Sequence, residues 1–277
     1  VQANHCTGKS RIHREIFMPL LLVKSAVETS QIKAVIFDMD GLLLDTETLS
    51  FESFIATAAR YDLQVGIDDY RDMIGLNAVT GIDILRAMLP THLDAVAFKN
   101  EWLDVYRQLL LDDVPLKAGA HAFLASLHQM DMPRAVATSS SGQKARAILQ
   151  KTGLMPYIQH VTGGDEVPAG KPAPDVYLDA AHKLGIDTGD CLALEDSNNG
   201  TTAALAAGMK VIQIPDLAPS NRLPNPPDFQ ICTSLAEAAS LIGLEIDISS
   251  PATSDKKLVK NQPRPDRISG QGKPTTG

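Results

Sequence analysis

From Gly119 onward the chain alternates short apolar runs with amphipathic helical patterns, and this rhythm limits the possible folds more than any other feature of the sequence. Helical patterns over 120–130, 143–151, 175–184, 200–207 and 235–241 separate strand-like runs at 134–138, 158–162, 191–194, 211–214 and 229–232. Strands joined through helices need crossovers, and repeated crossovers give a parallel sheet with helices on both faces. A further apolar run at 33–37 has the same buried-strand character. Residues 46–115, which separate it from the rest, show only helical patterns, among them 68–74, 79–89 and 93–111. The economical reading is an α/β Rossmann-like, doubly wound parallel sheet with an inserted all-helical cap domain. Residues 31–45 and 116–245 form the core, 46–115 the cap, 1–30 a flexible extension and 246–277 a disordered tail. The tail expectation rests on its Pro, Ser, Thr, Lys and Gly content and its lack of apolar residues to bury. Trp102 reads as a core residue of the helical block.

A chain of 277 residues with 44% apolar content is long enough for a large α/β core and a smaller partner. Its net charge of −8 offers no attraction to nucleic acid or an anionic membrane. Neither is an expected partner, and the expected state is a monomer or weak dimer. Arg11 and Arg14 precede an apolar stretch at 16–23, a weak likeness to a signal peptide. Pro19 interrupts that stretch, Lys24 ends it and no small-residue cleavage site follows, so export is not expected. The cysteines Cys6, Cys191 and Cys232 are scattered without metal-ligand spacing, and Cys191 and Cys232 lie in strand-like runs. Buried thiols in a reducing cytoplasm are the expectation.

The chemistry gathers where strands end. The run Ala34-Val35-Ile36-Phe37 stops at Asp38-Met39-Asp40-Gly41, placing two carboxylates at the carboxyl edge of a parallel sheet, where open α/β folds bind ligands. Carboxylates that close repel unless a cation or a shared proton compensates, so the pair points to a Mg²⁺ site with a nucleophile and an acid/base. Thr138, Ser139 and Ser140 follow the second strand, Lys171 sits in a loop before a helix, and Glu195 and Asp196 follow the fourth strand of the core. Each group has a plain alternative: helix caps for 138–140 and 195–199, and a solvated loop lysine for Lys171. Together they suit phosphoryl transfer, which needs an in-line nucleophile, cations for the equatorial oxygens and fixed donors. Asp38 would attack phosphorus and Asp40 would serve the leaving oxygen and then the water. Thr138 with nearby amides would hold a phosphoryl oxygen, and Lys171 would offset charge. Asp38 and Asp196, with Glu195 near or in the shell, would hold Mg²⁺.

These segments resemble the haloacid dehalogenase superfamily of Mg²⁺-dependent phosphohydrolases over roughly residues 31–245. Phe-Asp-Met-Asp-Gly-Leu-Leu-Leu-Asp-Thr-Glu at 37–47 is similar to its first motif, Ala-Thr-Ser-Ser at 137–140 to the second, Gly-Lys-Pro-Ala-Pro-Asp at 170–175 to the third, and Leu-Glu-Asp-Ser-Asn-Asn-Gly at 194–200 to the fourth. The resemblance implies Asp38 as nucleophile, Asp40 as acid/base, and Mg²⁺ on Asp38, the Asp40 carbonyl and Asp196. The long interval between the first two motifs is similar to the subgroup with a helical cap, nearest to β-phosphoglucomutase-like sugar-phosphate phosphatases. Mutases of that group carry a cap motif like Lys-Gly-x-Ser-Arg, where this chain has Ile74-Gly75-Leu76-Asn77-Ala78, and a cap histidine where this chain has Ser50. The lost cations favour hydrolysis over internal transfer, with a sugar phosphomutase as the alternative. Asn77 and Arg71 become the expected contacts for the non-phosphate end of the substrate.

Overall fold

The computed structural model describes residues 32–71, 78–217 and 229–248. Six strands, β1 (Ala34–Phe37), β2 (Arg134–Ala137), β3 (His160–Thr162), β4 (Cys191–Glu195), β5 (Lys210–Gln213) and β6 (Phe229–Ile231), form one sheet in the order β3-β2-β1-β4-β5-β6. Every neighbouring pair is parallel. Chain order runs outward from β1 to β2 and β3, then returns to β4 on the other side. The carboxyl end of β1 therefore sits at a topological switch point, where the crevice of a doubly wound sheet opens.

The core follows from the two-residue period of the strands. Val35, Phe37, Val136, Leu192 and Leu194 face one way. They meet Phe123, Leu124 and Leu127 of α5 (Ala120–Gln129), Ala145 and Leu149 of α6 (Gly142–Lys151), and Leu235 and Ala238 of α9 (Leu235–Leu241). Ala34, Ile36, Ala135, Ala137, Cys191 and Ala193 face the other way, against Tyr177 and Ala180 of α7 (Asp175–Leu184) and Ala203 and Ala204 of α8 (Asn198–Ala206). The alanines on both sides of that second contact let α7 and α8 lie close to the sheet.

Between β1 and β2 the chain builds α1 (Thr46–Ala59), α2 (Ile67–Arg71), α3 (Ala78–Met88) and α4 (Ala95–Asp112). Phe54, Tyr70, Leu85, Leu89 and Phe98 form an apolar cluster of their own, with Trp102 and Leu217 packed on it. Trp102 is part of that core, its Nε1 donating to the Ser50 carbonyl at 3.0 Å and to Ser53 Oγ at 2.9 Å. Asp94 caps α4 by accepting from the amides of Val96 and Ala97. The chain leaves and rejoins the sheet side by side: Leu44 bridges Leu116, Asp45 N donates to the Pro115 carbonyl at 2.8 Å, and Lys117 N donates to the Leu43 carbonyl at 3.0 Å.

Two sequence expectations shift in detail. The strand expected at 158–162 begins at His160, because Met155–Tyr157 forms a 3-10 turn that buries Ile158 before the ladder starts. Ile246 and Ile248, placed in the expected tail, lie over Gly119, whose added Cβ would meet them at 3.1 and 3.4 Å. Apolar side chains with a core surface within reach stay on it. The arm at 1–30, the rest of the tail, the end of the helix expected over 68–74, and Asn77 lie outside the described residues.

Candidate active site

Asp38 directly follows β1, and its amide donates to the Leu194 carbonyl at 2.9 Å, which extends the β1–β4 ladder to the start of the next turn. The next residues knot tightly: Leu43 and Leu44 amides return to the Met39 carbonyl, and the Gly41 amide donates to the Leu44 carbonyl and Thr46 Oγ1. Gly41 takes a φ of +82°, and a Cβ there would lie 2.4 Å from Asp196 Oδ2. Only glycine lets the first and fourth motif segments approach this closely.

Lys171 reaches in from the loop before α7. Its Nζ donates to Asp38 Oδ1 and Glu195 Oε1, each at 2.5 Å, and to the Ala137 carbonyl at 2.9 Å. The side chain is only 4% exposed, so this is an inserted cation and not a solvated loop lysine. The Tyr177 ring lies 4.9 Å from the same Nζ, and the Tyr177 hydroxyl donates to Glu195 Oε1 at 2.7 Å. Glu195 is fully buried, and its Oε2 accepts from the amides of Asp196 and Ser197 and from Ser197 Oγ. With five donors on one carboxylate, Glu195 anchors Lys171 and the loop after β4. Gly200 keeps that room, since a Cβ there would collide with the Glu195 carboxylate. Ser197 also caps α8 by accepting from the Gly200 amide at 3.0 Å.

Asp40 is half-buried, and its Oδ2 accepts from Ser140 Oγ at 2.8 Å and Thr138 Oγ1 at 3.4 Å. The cap of α6 is Ser141, which accepts from the Lys144 amide, so Thr138 and Ser140 are turned toward Asp40 instead. Ser139 is exposed, with its backbone against Gly164. Arg71, at the exposed end of α2, donates to Asp68 Oδ1 and, through Nε, to the Leu217 carbonyl at 3.2 Å.

Burial pushes the Asp38 carboxyl well above the usual range; Lys171 opposes this, while Glu195 and Asp40 add to it. Asp196 is pushed up in the same direction by burial and then by Glu195, Asp38 and Glu47. Burial works against charge on Lys171 and Glu195 too, but their mutual attraction, with Asp38 on the lysine, wins and keeps both ionised. One lysine thus serves the two buried carboxylates of Asp38 and Glu195, and the half-buried Asp196 completes a set of three whose oxygens lie within 4.8 Å of one another. Two of the three carry uncompensated electrostatic strain, and oxygen donors so arranged fit a hard divalent cation such as Mg²⁺.

Residues 35–214 match the haloacid dehalogenase-like hydrolase family. The chain belongs to that family. Fructose-1-phosphate phosphatase YqaB of Escherichia coli K12 is 35% identical to it over 184 residues, 65% of this chain and 95% of that protein. The phosphorylated carbohydrates phosphatase of Thermotoga maritima is 31% identical over 180 residues, 65% and 83% of the two chains. Among solved structures, CbbY from Rhodobacter sphaeroides in complex with phosphate superposes with a TM-score of 0.58 at 25% identity, over 77% of this chain and all of that one. This haloacid dehalogenase-like chain is a phosphoric monoester hydrolase, a phosphatase of small phosphorylated metabolites. No helix among the described residues is long and apolar enough to cross a membrane.

Sequence reasoning missed several groups around the centre. Tyr177 lies on α7 beyond the Lys171 loop and carries no motif signal of its own. Lys117 donates to Asp45 Oδ1 at 3.2 Å and Asp216 Oδ1 at 2.6 Å. Tyr70 donates to Glu47 Oε2 at 2.8 Å, and burial raises the Glu47 carboxyl, with Asp216 and Asp40 adding to the effect. Asp216 was detectable by the logic that found Asp38, as a carboxylate just past an apolar strand.

Proposed function

We propose that the chain is a Mg²⁺-dependent phosphatase acting on a sugar, polyol or nucleoside monophosphate through an aspartyl phosphate on Asp38. The supporting observation is the buried Asp38–Lys171–Glu195 bridge beside Asp196, with Asp40 held by Ser140 next to it. Asp38, the Asp40 carbonyl and Asp196 would hold the ion, with Glu195 behind them. Bound there, Mg²⁺ would supply the positive charge that offsets carboxylates and phosphate together.

Lys171 works against burial to favour the ionised form of Asp38 and aims it along one direction, so that its carboxylate oxygen can form a bond to phosphorus as the ester oxygen departs. Asp40, oriented by Ser140 and Thr138, gives its proton to that leaving oxygen. It then takes a proton from the water that attacks phosphorus, which releases phosphate and restores Asp38. Thr138, Ser139 and Ser140 supply hydroxyl and amide donors for the phosphoryl oxygens. Residues 46–115 act as the cap over this centre, with Arg71 and Asn77 reaching the non-phosphate end of the substrate. The burial of Cys191 and Cys232 and the net charge of −8 suit a cytoplasmic enzyme without nucleic-acid or membrane partners.

Phosphate release from a panel of sugar, polyol and nucleoside monophosphates, with and without EDTA, tests the reading. Activity that EDTA abolishes and Mg²⁺ restores is expected, and Asp38→Asn should be inactive. EDTA-insensitive turnover, or full activity in Asp38→Asn, would refute it. Isomerised sugar phosphate outpacing free phosphate, with dependence on a bisphosphate primer, would make the protein a phosphomutase.

A further inference from the structure

We propose that Asp216 is a positioning residue of the divalent-ion site, its Oδ2 accepting a hydrogen bond from an ion-bound water while Lys117 holds the carboxylate in place; this rests on the Mg²⁺ reading above. Asp216 follows β5 at the carboxyl edge of the sheet, the edge that carries Asp38 and Asp196. Its Oδ1 is bound by Lys117 Nζ at 2.6 Å. Its side chain is only 8% exposed, and among the described residues its buried Oδ2 has no hydrogen-bond partner. A buried, unpaired carboxylate oxygen is costly and calls for a donor.

Gly41 shows where that donor belongs. A Cβ on Gly41 would lie 2.4 Å from Asp196 Oδ2 and 3.5 Å from Asp216 Oδ2, so both oxygens crowd the same side of the catalytic turn. Asp216 is nevertheless not among the carboxylates whose oxygens lie within 4.8 Å of one another. It stands one layer out, at the place where a water of a hydrated cation bridges to a protein acceptor. Lys117 also binds Asp45, and the backbone amides of both residues pair the two strands of chain that lead into and out of 46–115. The outer acceptor is thus fastened to the hinge of the helical segment.

Calorimetric titration of Mg²⁺ into the EDTA-stripped full-length protein tests this without turnover. Asp216→Asn keeps the shape and should weaken Mg²⁺ binding by roughly 10–100-fold. Glu47→Gln removes another carboxylate whose charge reaches Asp196 and should change affinity by less than about threefold, because it lacks the directed bond. Equal affinity for wild type and Asp216→Asn overturns the proposal, and so does equal weakening in both variants, which would assign the effect to charge alone. A wild-type protein that takes up no Mg²⁺ would sink the metal reading itself, and this inference with it. If Asp216→Asn does not fold by circular dichroism, a crystal structure of the wild type with Mg²⁺ decides. A water within hydrogen-bond distance of both the ion and Asp216 Oδ2 supports the proposal, and its absence overturns it.

Discussion

Replacing Lys171 by methionine probes the centre most directly. The ammonium lies 2.5 Å from Asp38 Oδ1 and 2.5 Å from Glu195 Oε1, and Glu195 is fully buried. Removing one partner of a buried ion pair costs about 3–5 kcal/mol, because the remaining charge has no compensation. The protein can escape by protonating a carboxyl. For a group with an unfolded pKa of about 4.3, that route costs about 1.4 kcal/mol per pH unit above the pKa, or about 5 kcal/mol at pH 8 and about 1 kcal/mol at pH 5. In the wild type, the lowered Glu195 pKa contributes stability that is present above its unfolded value and lost as pH falls through the folded value. In the variant the sign reverses: a carboxyl with a raised folded pKa binds a proton more tightly than in the unfolded chain, so stability falls as pH rises. Thermal melts in EDTA should therefore show Lys171→Met below wild type by roughly 6–20 °C at pH 8 and by less than about 5 °C at pH 5. Equal melting temperatures at pH 8, or a gap that widens toward acid, would refute this account of Lys171.

Ser140→Ala removes the 2.8 Å bond that orients Asp40; hydrogen bonds to charged groups contribute about 1.5–3 kcal/mol, so kcat should fall about 10–100-fold in steady-state kinetics. Gly41→Ala forces a side chain into a left-handed backbone at a cost of about 1–2 kcal/mol and pushes on Asp196. Its melting temperature should drop by several degrees, and the Mg²⁺ concentration for half-maximal activity should rise. Burial raises the Cys191 thiol to about 11, so thiolate is scarce at pH 8. Peptide mapping should find Cys191 unlabelled by iodoacetamide in the native protein and labelled after guanidinium unfolding.

The sheet was legible because its signals are local. Four apolar residues running into Asp38, or four running into Glu195, announce a buried strand whatever surrounds them. The gathering of Asp38, Lys171, Glu195 and Asp196 followed from the rule that parallel strands present their carboxyl ends together. What stayed hidden depends on contacts distant along the chain. Lys117 meets a carboxylate 99 residues away in Asp216, and no periodicity marks either one. Tyr177 reads as one apolar position on the face of α7, yet its hydroxyl sits on Glu195. The choice of Ser141 over Thr138 as the helix cap was also out of reach, since adjacent hydroxyl residues are equivalent until the backbone decides which one starts the helix.

The paired backbone at Leu44 and Leu116 has a consequence for how such a protein can diversify. Outgoing and incoming chain are zipped together before the helices begin, so the sheet sees the same two ends whatever is hung between them. Closing a longer or shorter excursion from a fixed doorway adds little entropy cost, about 0.6 kcal/mol per doubling of length. Insertions and deletions can therefore accumulate in the helical segment while the sheet beneath stays untouched.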